Sequence, residues 1–196
     1  TPSYEELYKF GFLNTKQKNI YIFEASSHAL DQDRLRNYPI DIAAITNISK
    51  DHLDYHKNMP KYKNAKLKLF VKHLSSKGTA IINSRIKNFP ELKKKIIKRK
   101  IKNIFYGKDN LSLTKKNKYF ELIINKKKYK IYNLNLNTDF ELENLECAIS
   151  CCLAINISEK KIINILNKVN NPPGRLQRIY YKKKRSEIYI DYAHTP

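Results

Sequence analysis

The sequence predicts an α/β fold: a mostly parallel sheet flanked by helices, with a small antiparallel appendage. Two observations support the parallel sheet: short apolar runs alternate with longer helical segments over the first half of the chain, and helical spacing returns near residue 140. A third, a change to two β-type runs around a lysine-rich turn, predicts the appendage. Strands that alternate with helices are typical of parallel sheets. With 196 residues, the chain can bury one sizeable core and a small appendage.

The first half of the chain supplies the predicted parallel sheet. Short apolar runs predict its strands at residues 20–24, 42–46, 79–82 and 104–106. Helical spacing predicts helices at residues 3–10, 60–74 and 91–100. We expect Gly11 to end the first helix and the last helix to be strongly basic.

The second half begins with the predicted appendage. Runs at residues 119–124 and 129–134 flank Asn125-Lys126-Lys127-Lys128 and predict a β-hairpin. Helices are expected at 140–155 and 158–169, with Ser158 as the N-cap of the second. The strongest break is Asn170-Asn171-Pro172-Pro173-Gly174, and strand-like runs follow it at 176–181 and 188–192. We therefore expect a domain boundary near the end of the sequence.

The formal net charge of +21 raises the alternative of a nucleic-acid-binding module. The lysines are scattered over several stretches and form no single stripe interleaved with aromatic residues, which a strand-binding groove needs. Lys, Ile, Asn and Tyr are all abundant and have codons rich in A and T, so compositional drift explains the charge without a polyanionic partner. A basic field would still help to capture phosphorylated or carboxylated substrates.

Other compositional features exclude a membrane span and a disulfide framework. No apolar run approaches the roughly 20 residues that cross a bilayer, and no leader peptide opens the sequence. Because the first residue is Thr1 and the last is Pro196, directly after a strand, we expect both ends to be cut from a longer polypeptide. Cys147, Cys151 and Cys152 are expected to be buried thiols in a reducing compartment.

Chemically active side chains follow two predicted strands of the sheet. Glu24-Ala25-Ser26-Ser27-His28 follows the first strand, and residues 46–56, ending in Asp51-His52-Leu53-Asp54-Tyr55-His56, follow the second. Ligands of open parallel sheets bind beyond the carboxyl ends of the strands. Three interpretations compete: a zinc site at His52 and His56 without an obvious third ligand, a surface loop with incidental histidines, and a magnesium site with Glu24 as an oxygen ligand.

Four strings of this sequence resemble the Mur ligases, and specifically their branch that acts on UDP-N-acetylmuramoyl-dipeptide. They are EASSHALDQDRL, TNISKDHLDYHKNMPKYKNAKLKLF, Pro173-Gly174-Arg175 and the final DYAHTP. They occur in the expected order and cover nearly the whole chain. The resemblance implies the Mur ligase central domain over residues 1–174, with its phosphate-binding loop upstream. Residues 175–196 would end this domain and begin the C-terminal ligase domain.

The resemblance also implies roles for individual residues. Glu24, His52 and Lys66 would act in catalysis and bind Mg²⁺, Lys66 as a carbamate. Thr1, Ser26, Gln32 and Arg34 would bind the UDP-N-acetylmuramoyl-dipeptide. Asn144, Arg175, Asp191 and His194 would bind ATP. His28 and His56 are expected either to orient the loops or to act as ligands. Glu141 departs from the family, which often has asparagine there, so part of the adenine pocket is altered.

The activity that the resemblance implies is ATP-dependent amide-bond formation in peptidoglycan synthesis, through an acyl phosphate. The added amino acid would be diaminopimelate or lysine, and the enzyme would be a cytoplasmic monomer. Only four glycines are present, and none forms a phosphate-binding loop, so we expect the 196-residue chain alone to be inactive. Another Mur ligase or a folylpolyglutamate synthase is the enzymatic alternative.

Overall fold

The computed structural model describes residues 5–6, 9, 19–36, 38–87, 89–170, 172–181 and 186–192. The chain divides into two compact units, Thr1–Lys108 and Asp109–Pro196. Within the described residues, no helix combines the length and the apolar character that crossing a membrane requires.

The first unit is built on a parallel sheet, as predicted. Its strands are β1 (Ile40–Ile45), β2 (Leu74–Asn83) and β3 (Lys102–Tyr106), in the order β1-β2-β3. The helices are α1 (Ser27–Asp31), α2 (Leu53–His56), α3 (Met59–Lys68) and α4 (Phe89–Lys98), and a π-helical turn at Leu69–His73 joins α3 to β2.

The core of this unit lies where α4 and the π-helical turn pack on the sheet. Ala43 of β1, Ile82 of β2, Phe70 of the turn and Ile96 of α4 are all buried in one cluster. The second half of β2 is buried without alternation, as expected for a central parallel strand covered on both faces. This packing fixes the carboxyl end of β1, which precedes one loop of the candidate site.

Helix α3 begins at a local capping signal, and the π-helical turn that follows it is held by a contact from a distant residue. The Asn58 side chain accepts a hydrogen bond from the backbone N–H of Lys61 at 3.0 Å, and Pro60 lies in the first turn, where its missing N–H costs nothing. At the other end, the guanidinium of Arg99 donates to the carbonyl oxygens of Phe70 and Leu74. The helix predicted at 60–74 is therefore confirmed, and its last turn is π-helical.

The strand predicted at residues 20–24 is wrong. These residues have no regular secondary structure, and Ile20 and Ile22 are 66% and 92% exposed. Strand β1 is the edge of the described sheet on this side, so residues 20–24 have no hydrogen-bonded strand beside them in the described part of the chain. An apolar run without a pairing partner does not form a strand. The helix predicted at 3–10 falls mostly outside the described residues, of which Glu5, Glu6 and Lys9 are helical.

The second unit begins with an antiparallel sheet, as predicted. It contains β4 (Leu111–Lys115), β5 (Phe120–Ile124) and β6 (Lys127–Ile131). Strands β5 and β6 form the predicted hairpin through Asn125 and Lys126, whose φ values of 49° and 68° suit a two-residue turn. The sequence analysis missed β4. Two helices follow, α5 (Asp139–Ala154) and α6 (Glu159–Leu166), and then an antiparallel pair, β7 (Gln177–Tyr181) and β8 (Ser186–Ile190).

Polar caps fix both helices of this unit. Ser158 is the N-cap of α6, as predicted, and its hydroxyl accepts from the backbone N–H of Lys161 at 3.4 Å. At the start of α5, Thr138 and Glu141 form a reciprocal capping box. Glu141 is buried, and its carboxyl oxygen accepts from the backbone N–H of Asn137 at 2.7 Å. Glu141, at a position where asparagine was expected, therefore stabilises the start of α5.

The three cysteines lie on α5 as free thiols. Cys147 is buried, whereas Cys151 and Cys152 are half-buried. Burial raises the pKa of the Cys152 thiol, and hydrogen bonding to Cys147 raises the pKa of Cys151 further. Protonated thiols are poor nucleophiles, so these residues are part of the packing of α5.

Many residues other than glycine have a left-handed backbone conformation. Within the described residues only Gly107 and Gly174 are glycines with positive φ. Ten other residues share this conformation: Asp33, His52, Lys57, Lys100, Asp109, Asn125, Lys126, Asn133, Asn156 and Leu176. Asn and Asp tolerate it because their short side chains bond locally, whereas lysine does not have this advantage.

Candidate functional site

Two loops carry most of the predicted site residues of the first unit: the segment that leads into α1 and the loop that follows the carboxyl end of β1. Glu24 is exposed and lies two residues before Ser26, the N-cap of α1, whose hydroxyl accepts from the backbone N–H of Ala29 at 3.2 Å. The second loop follows β1 and leads to His52, which precedes α2 with a φ of 51°. The Asp51 Oδ1 accepts a hydrogen bond from the backbone N–H of His52 at 2.8 Å, and the Asp51 Oδ2 lies 3.3 Å from the His52 Nε2.

The two loops meet in a cluster of five rings, here called the ring cluster: His28, His52, Tyr55, His56 and Tyr62. The ring of His28 lies with its centroid 4.8 Å from that of His52, 4.2 Å from Tyr55 and 5.5 Å from His56. Tyr62 of α3 lies 5.4 Å from His56 and 6.4 Å from His52. The ring cluster thus brings α1, α2 and α3 together.

His56 forms the buried polar contact between the two loops. His56 is only 4% exposed, and its Nε2 lies 2.9 Å from the hydroxyl oxygen of Ser27. Burial lowers the pKa of His56, so the imidazole is neutral at pH 7. His56 therefore links α2 to α1 through a buried side-chain contact.

Lys66 lies on α3, and its side chain reaches the second loop, which follows β1. Its ammonium donates to the carbonyl oxygen of Asn47 at 3.4 Å and lies 5.0 Å from the centroid of the Tyr62 ring. Because Tyr62 also contacts His52, the structure brings Lys66 and His52 to the same side chain. Lys66 follows Tyr62 by one helical turn, so α3 presents both on one face.

Three predicted substrate-binding residues flank α1. Ser26 caps the helix, and Gln32 and Arg34 lie just after it, with the Arg34 Nε donating to the Gln32 Oε1 at 2.9 Å. Asp31 anchors this segment to α3 through an ion pair with Lys68 at 2.7 Å. The Lys68 ammonium, hydrogen-bonded to Asp31, holds the pKa of that carboxyl below its ordinary value.

The donor groups fit a hard divalent cation only in part. Among the described residues, no three His, Cys, Asp or Glu side chains are grouped as ligands for one ion. Glu24 offers carboxylate oxygens and His52 an imidazole, but an ammonium at Lys66 would repel a cation. A carbamate at Lys66 would replace that positive charge with anionic oxygens, which are the ligands that Mg²⁺ prefers. A carbamate at Lys66 would therefore suit a divalent cation better than the ammonium does.

The predicted ATP-binding residues of the second unit lie on two elements. Asn144 is exposed on α5. Arg175 and Asp191 are brought together by the pairing of β7 with β8: the Arg175 guanidinium lies 5.5 Å from the Tyr192 ring, and Asp191 accepts from the Leu176 backbone N–H at 2.7 Å. Thr1 and His194 lie outside the described residues.

Neither Tyr62 nor the hydrogen-bonding role of Tyr55 was predicted from the sequence. Tyr62 lies four residues, about one helical turn, before Lys66, a spacing that could have identified it. The contact between Tyr55 and Asp31, the last residue of α1, joins residues 24 positions apart, and no local pattern signals it.

The fold is that of an α/β domain with polar side chains beyond the carboxyl end of the parallel strand β1, the edge of such sheets where ligands commonly bind. The family model described as the Mur ligase middle domain matches residues 1–152. The chain belongs to the Mur ligase family.

Individual relatives agree with this assignment. The chain is 39% identical over 180 residues to the UDP-N-acetylmuramoyl-L-alanyl-D-glutamate--2,6-diaminopimelate ligase of Rickettsia bellii, covering 89% of this chain and 37% of that protein. A solved structure of a ligase with the same name matches with a TM-score of 0.69 at 28% identity, covering 88% of this chain and 36% of the other. The MurF ligase of Thermotoga maritima in complex with ADP shares the fold, with a TM-score of 0.67 at 15% identity over 85% of this chain and 38% of that chain. The chain spans less than two fifths of the length of these proteins.

Proposed function

We propose that the polypeptide containing this chain is an ATP-dependent ligase of peptidoglycan synthesis. It would add the third amino acid, diaminopimelate or lysine, to UDP-N-acetylmuramoyl-L-alanyl-D-glutamate. The observation that carries this proposal is the position of Lys66, 3.4 Å from the carbonyl oxygen of Asn47 and beside the ring that also contacts His52. The names of the relatives that match most of this chain support diaminopimelate as the amino acid.

The reaction would proceed in two displacement steps. A carboxylate oxygen of the dipeptide attacks the γ-phosphorus of ATP, and ADP leaves, which forms an acyl phosphate. The amino group of the incoming amino acid then attacks the acyl carbon, inorganic phosphate leaves, and the nitrogen loses a proton. Such reactions depend mainly on positioning and on neutralising the phosphate charge.

Residues of the first unit would provide the positioning. Ser26, Gln32 and Arg34, together with Thr1, would bind the UDP-sugar peptide, and the guanidinium suits a carboxylate or phosphate. Glu24, His52 and carbamylated Lys66 would hold Mg²⁺, which neutralises phosphate charge when bound. The exposed position of Glu24 and the contact of Lys66 with the second loop are consistent with these roles.

Residues of the second unit would bind ATP. These are Asn144, Arg175, Asp191 and His194, of which Arg175 and Asp191 both lie beside the β7–β8 pair. We propose residues 1–174 as the central domain and residues 175–196 as its end and the start of the C-terminal domain. Because both substrates are cytoplasmic metabolites, we expect a cytoplasmic enzyme, and a monomer suffices for the proposed chemistry.

The test is ligation by the full-length polypeptide with ATP, Mg²⁺, UDP-N-acetylmuramoyl-dipeptide and either diaminopimelate or lysine. We expect a tripeptide product with one amino acid, and a loss of about 100-fold or more in Lys66→Arg, because arginine cannot form the carbamate. Lys61→Arg, an exposed change at the start of the same helix, is the matched control and should keep full activity. Absence of product and of ADP release from the folded wild-type protein would refute the proposal.

Three further results would change the proposed function. ATP turnover by the 196-residue chain alone would contradict the expectation that the activity needs the rest of the polypeptide. Ligation of glutamate to a folate, without use of the UDP-sugar peptide, would assign a different branch of the amide ligases. Nucleic-acid binding driven by the charge would be recognised by a steep loss of affinity with salt.

A further inference from the structure

Tyr55 lies at the centre of a network of hydrogen bonds, and the sequence motifs predict no role for it. Its hydroxyl accepts a hydrogen bond from the Gln32 Nε2 at 3.4 Å and donates to the Asp31 Oδ2 at 3.3 Å. Its ring packs against His28 at 4.2 Å and His56 at 4.7 Å between centroids. The packing of the ring fixes the place of the hydroxyl, although the side chain is partly exposed.

Because the Tyr55 hydroxyl donates its proton to Asp31, it can only accept from Gln32, and it therefore favours the Nε2 end of the amide. An amide has a donor end and an acceptor end, and the two are not interchangeable. Because Tyr55 accepts from Nε2, the Oε1 end faces Arg34 and accepts from its Nε at 2.9 Å. A flipped amide would place its N–H groups against the guanidinium, donor against donor. Tyr55 thereby holds Arg34 through Gln32.

The same hydroxyl ties this segment to α3. Asp31 accepts from both Tyr55 and the Lys68 ammonium, which lies 2.7 Å from Oδ1. Lys68 follows Lys66 by two residues on the same helix. Arg34 is therefore connected by hydrogen bonds to the helix that carries the proposed carbamate. With its Nε engaged by Gln32, its two terminal nitrogens are the groups directed to an anion.

We propose that Tyr55 is a positioning residue of the proposed ligase reaction, on which this inference rests. It orients Gln32, and through it Arg34, for an anionic group of the UDP-sugar peptide, and it acts on substrate binding and not on the transfer of phosphate. Tyr55→Phe tests this directly because it removes the hydroxyl and keeps the ring in the ring cluster.

In the full-length polypeptide, we expect Tyr55→Phe to raise the KM for UDP-N-acetylmuramoyl-dipeptide about 5- to 10-fold, which is what one hydrogen bond is typically worth. The KM for ATP and kcat should stay within about twofold. Tyr129→Phe, the matched control, removes another tyrosine hydroxyl that bonds Glu159 at 2.6 Å, and it should leave all three values unchanged. In an Arg34→Lys background, Tyr55→Phe should add less than a further twofold.

Failure of this inference can be separated from failure of the proposed function. If the wild type ligates but Tyr55→Phe leaves the KM for the dipeptide unchanged, or lowers kcat alone, the positioning role is refuted and the ligase assignment stands. If the wild type does not ligate, the proposed function fails. The side-chain Nε–Hε signal of Arg34 by NMR then decides the positioning role. Faster exchange of this proton in Tyr55→Phe than in Tyr129→Phe supports it, and equal exchange overturns it.

Discussion

Glu146 connects the antiparallel sheet of the second unit to α5, and its removal gives a quantitative prediction. Its side chain is fully buried, at 0% exposure, and Oε1 accepts from the backbone N–H of Leu113 on β4 at 2.6 Å. Leu113 is itself only 2% exposed. Glu146→Leu keeps a side chain of similar volume but leaves the Leu113 N–H without this acceptor. A buried donor without a partner costs about 1–3 kcal/mol.

The assay is unfolding in urea, followed together with hydrogen exchange of the Leu113 amide. With a typical slope of about 2 kcal/mol per molar urea, a loss of about 2 kcal/mol lowers the midpoint of unfolding by about 1 M. Glu146→Gln is the matched control because its amide oxygen can still accept from Leu113, and it should lose less than half as much. Equal midpoints for the leucine and glutamine variants, with no faster exchange at Leu113, would refute this account of the contact.

Two further predictions concern a turn and the acid dependence of stability. Gly107 has a φ of +93°, and a Cβ at this position would lie 2.5 Å from the Arg85 Nη1. Gly107→Ala should therefore strain the backbone and destabilise the first unit by about 1–2 kcal/mol, measured by urea unfolding. Unchanged stability would contradict this strain. The hydrogen bonds from Tyr129 and then Asn125 are the main causes that hold the pKa of Glu159 below its ordinary value of 4.5. The folded state therefore binds fewer protons, and the stabilisation that is present above pH 4.5 is lost as the pH falls through the lowered pKa. Tyr129→Phe should lose less stability than the wild type between pH 7 and pH 3, and an equal loss would argue against this linkage.

Much of the fold followed from local patterns in the sequence. The parallel strands ending at Ile45 and Tyr106 and the hairpin at Asn125-Lys126 carry signals within a few residues: apolar runs and a turn that tolerates positive φ. The Ser158 cap was equally local. The carboxyl-end rule then directed attention to the loop after β1, which leads to His52, because the rule depends only on strand direction. Lys66 was proposed only from the resemblance to a family.

The remaining features depend on partners distant in sequence. Residues 20–24 have the composition of a strand but no strand beside them in the described chain, and pairing cannot be read from composition. Strand β4 is short, and its position depends on β5 and on the contact between Leu113 and Glu146, 33 residues apart. The hydrogen bonds of Tyr55 and of His56 likewise cross between loops, so only the folded chain shows them.

The left-handed turns of this chain are mostly formed by residues other than glycine. Among the described residues, glycine fills two of these positions, and asparagine, aspartate and lysine fill eight. At Lys57, Lys100 and Lys126 the chain carries a steric cost of about 1–2 kcal/mol each that glycine would remove. Because a folded domain is typically stable by only about 5–15 kcal/mol, these few turns take up a sizeable part of that margin. The upper temperature at which this protein stays folded is thus set in part by the backbone conformation of a few turns.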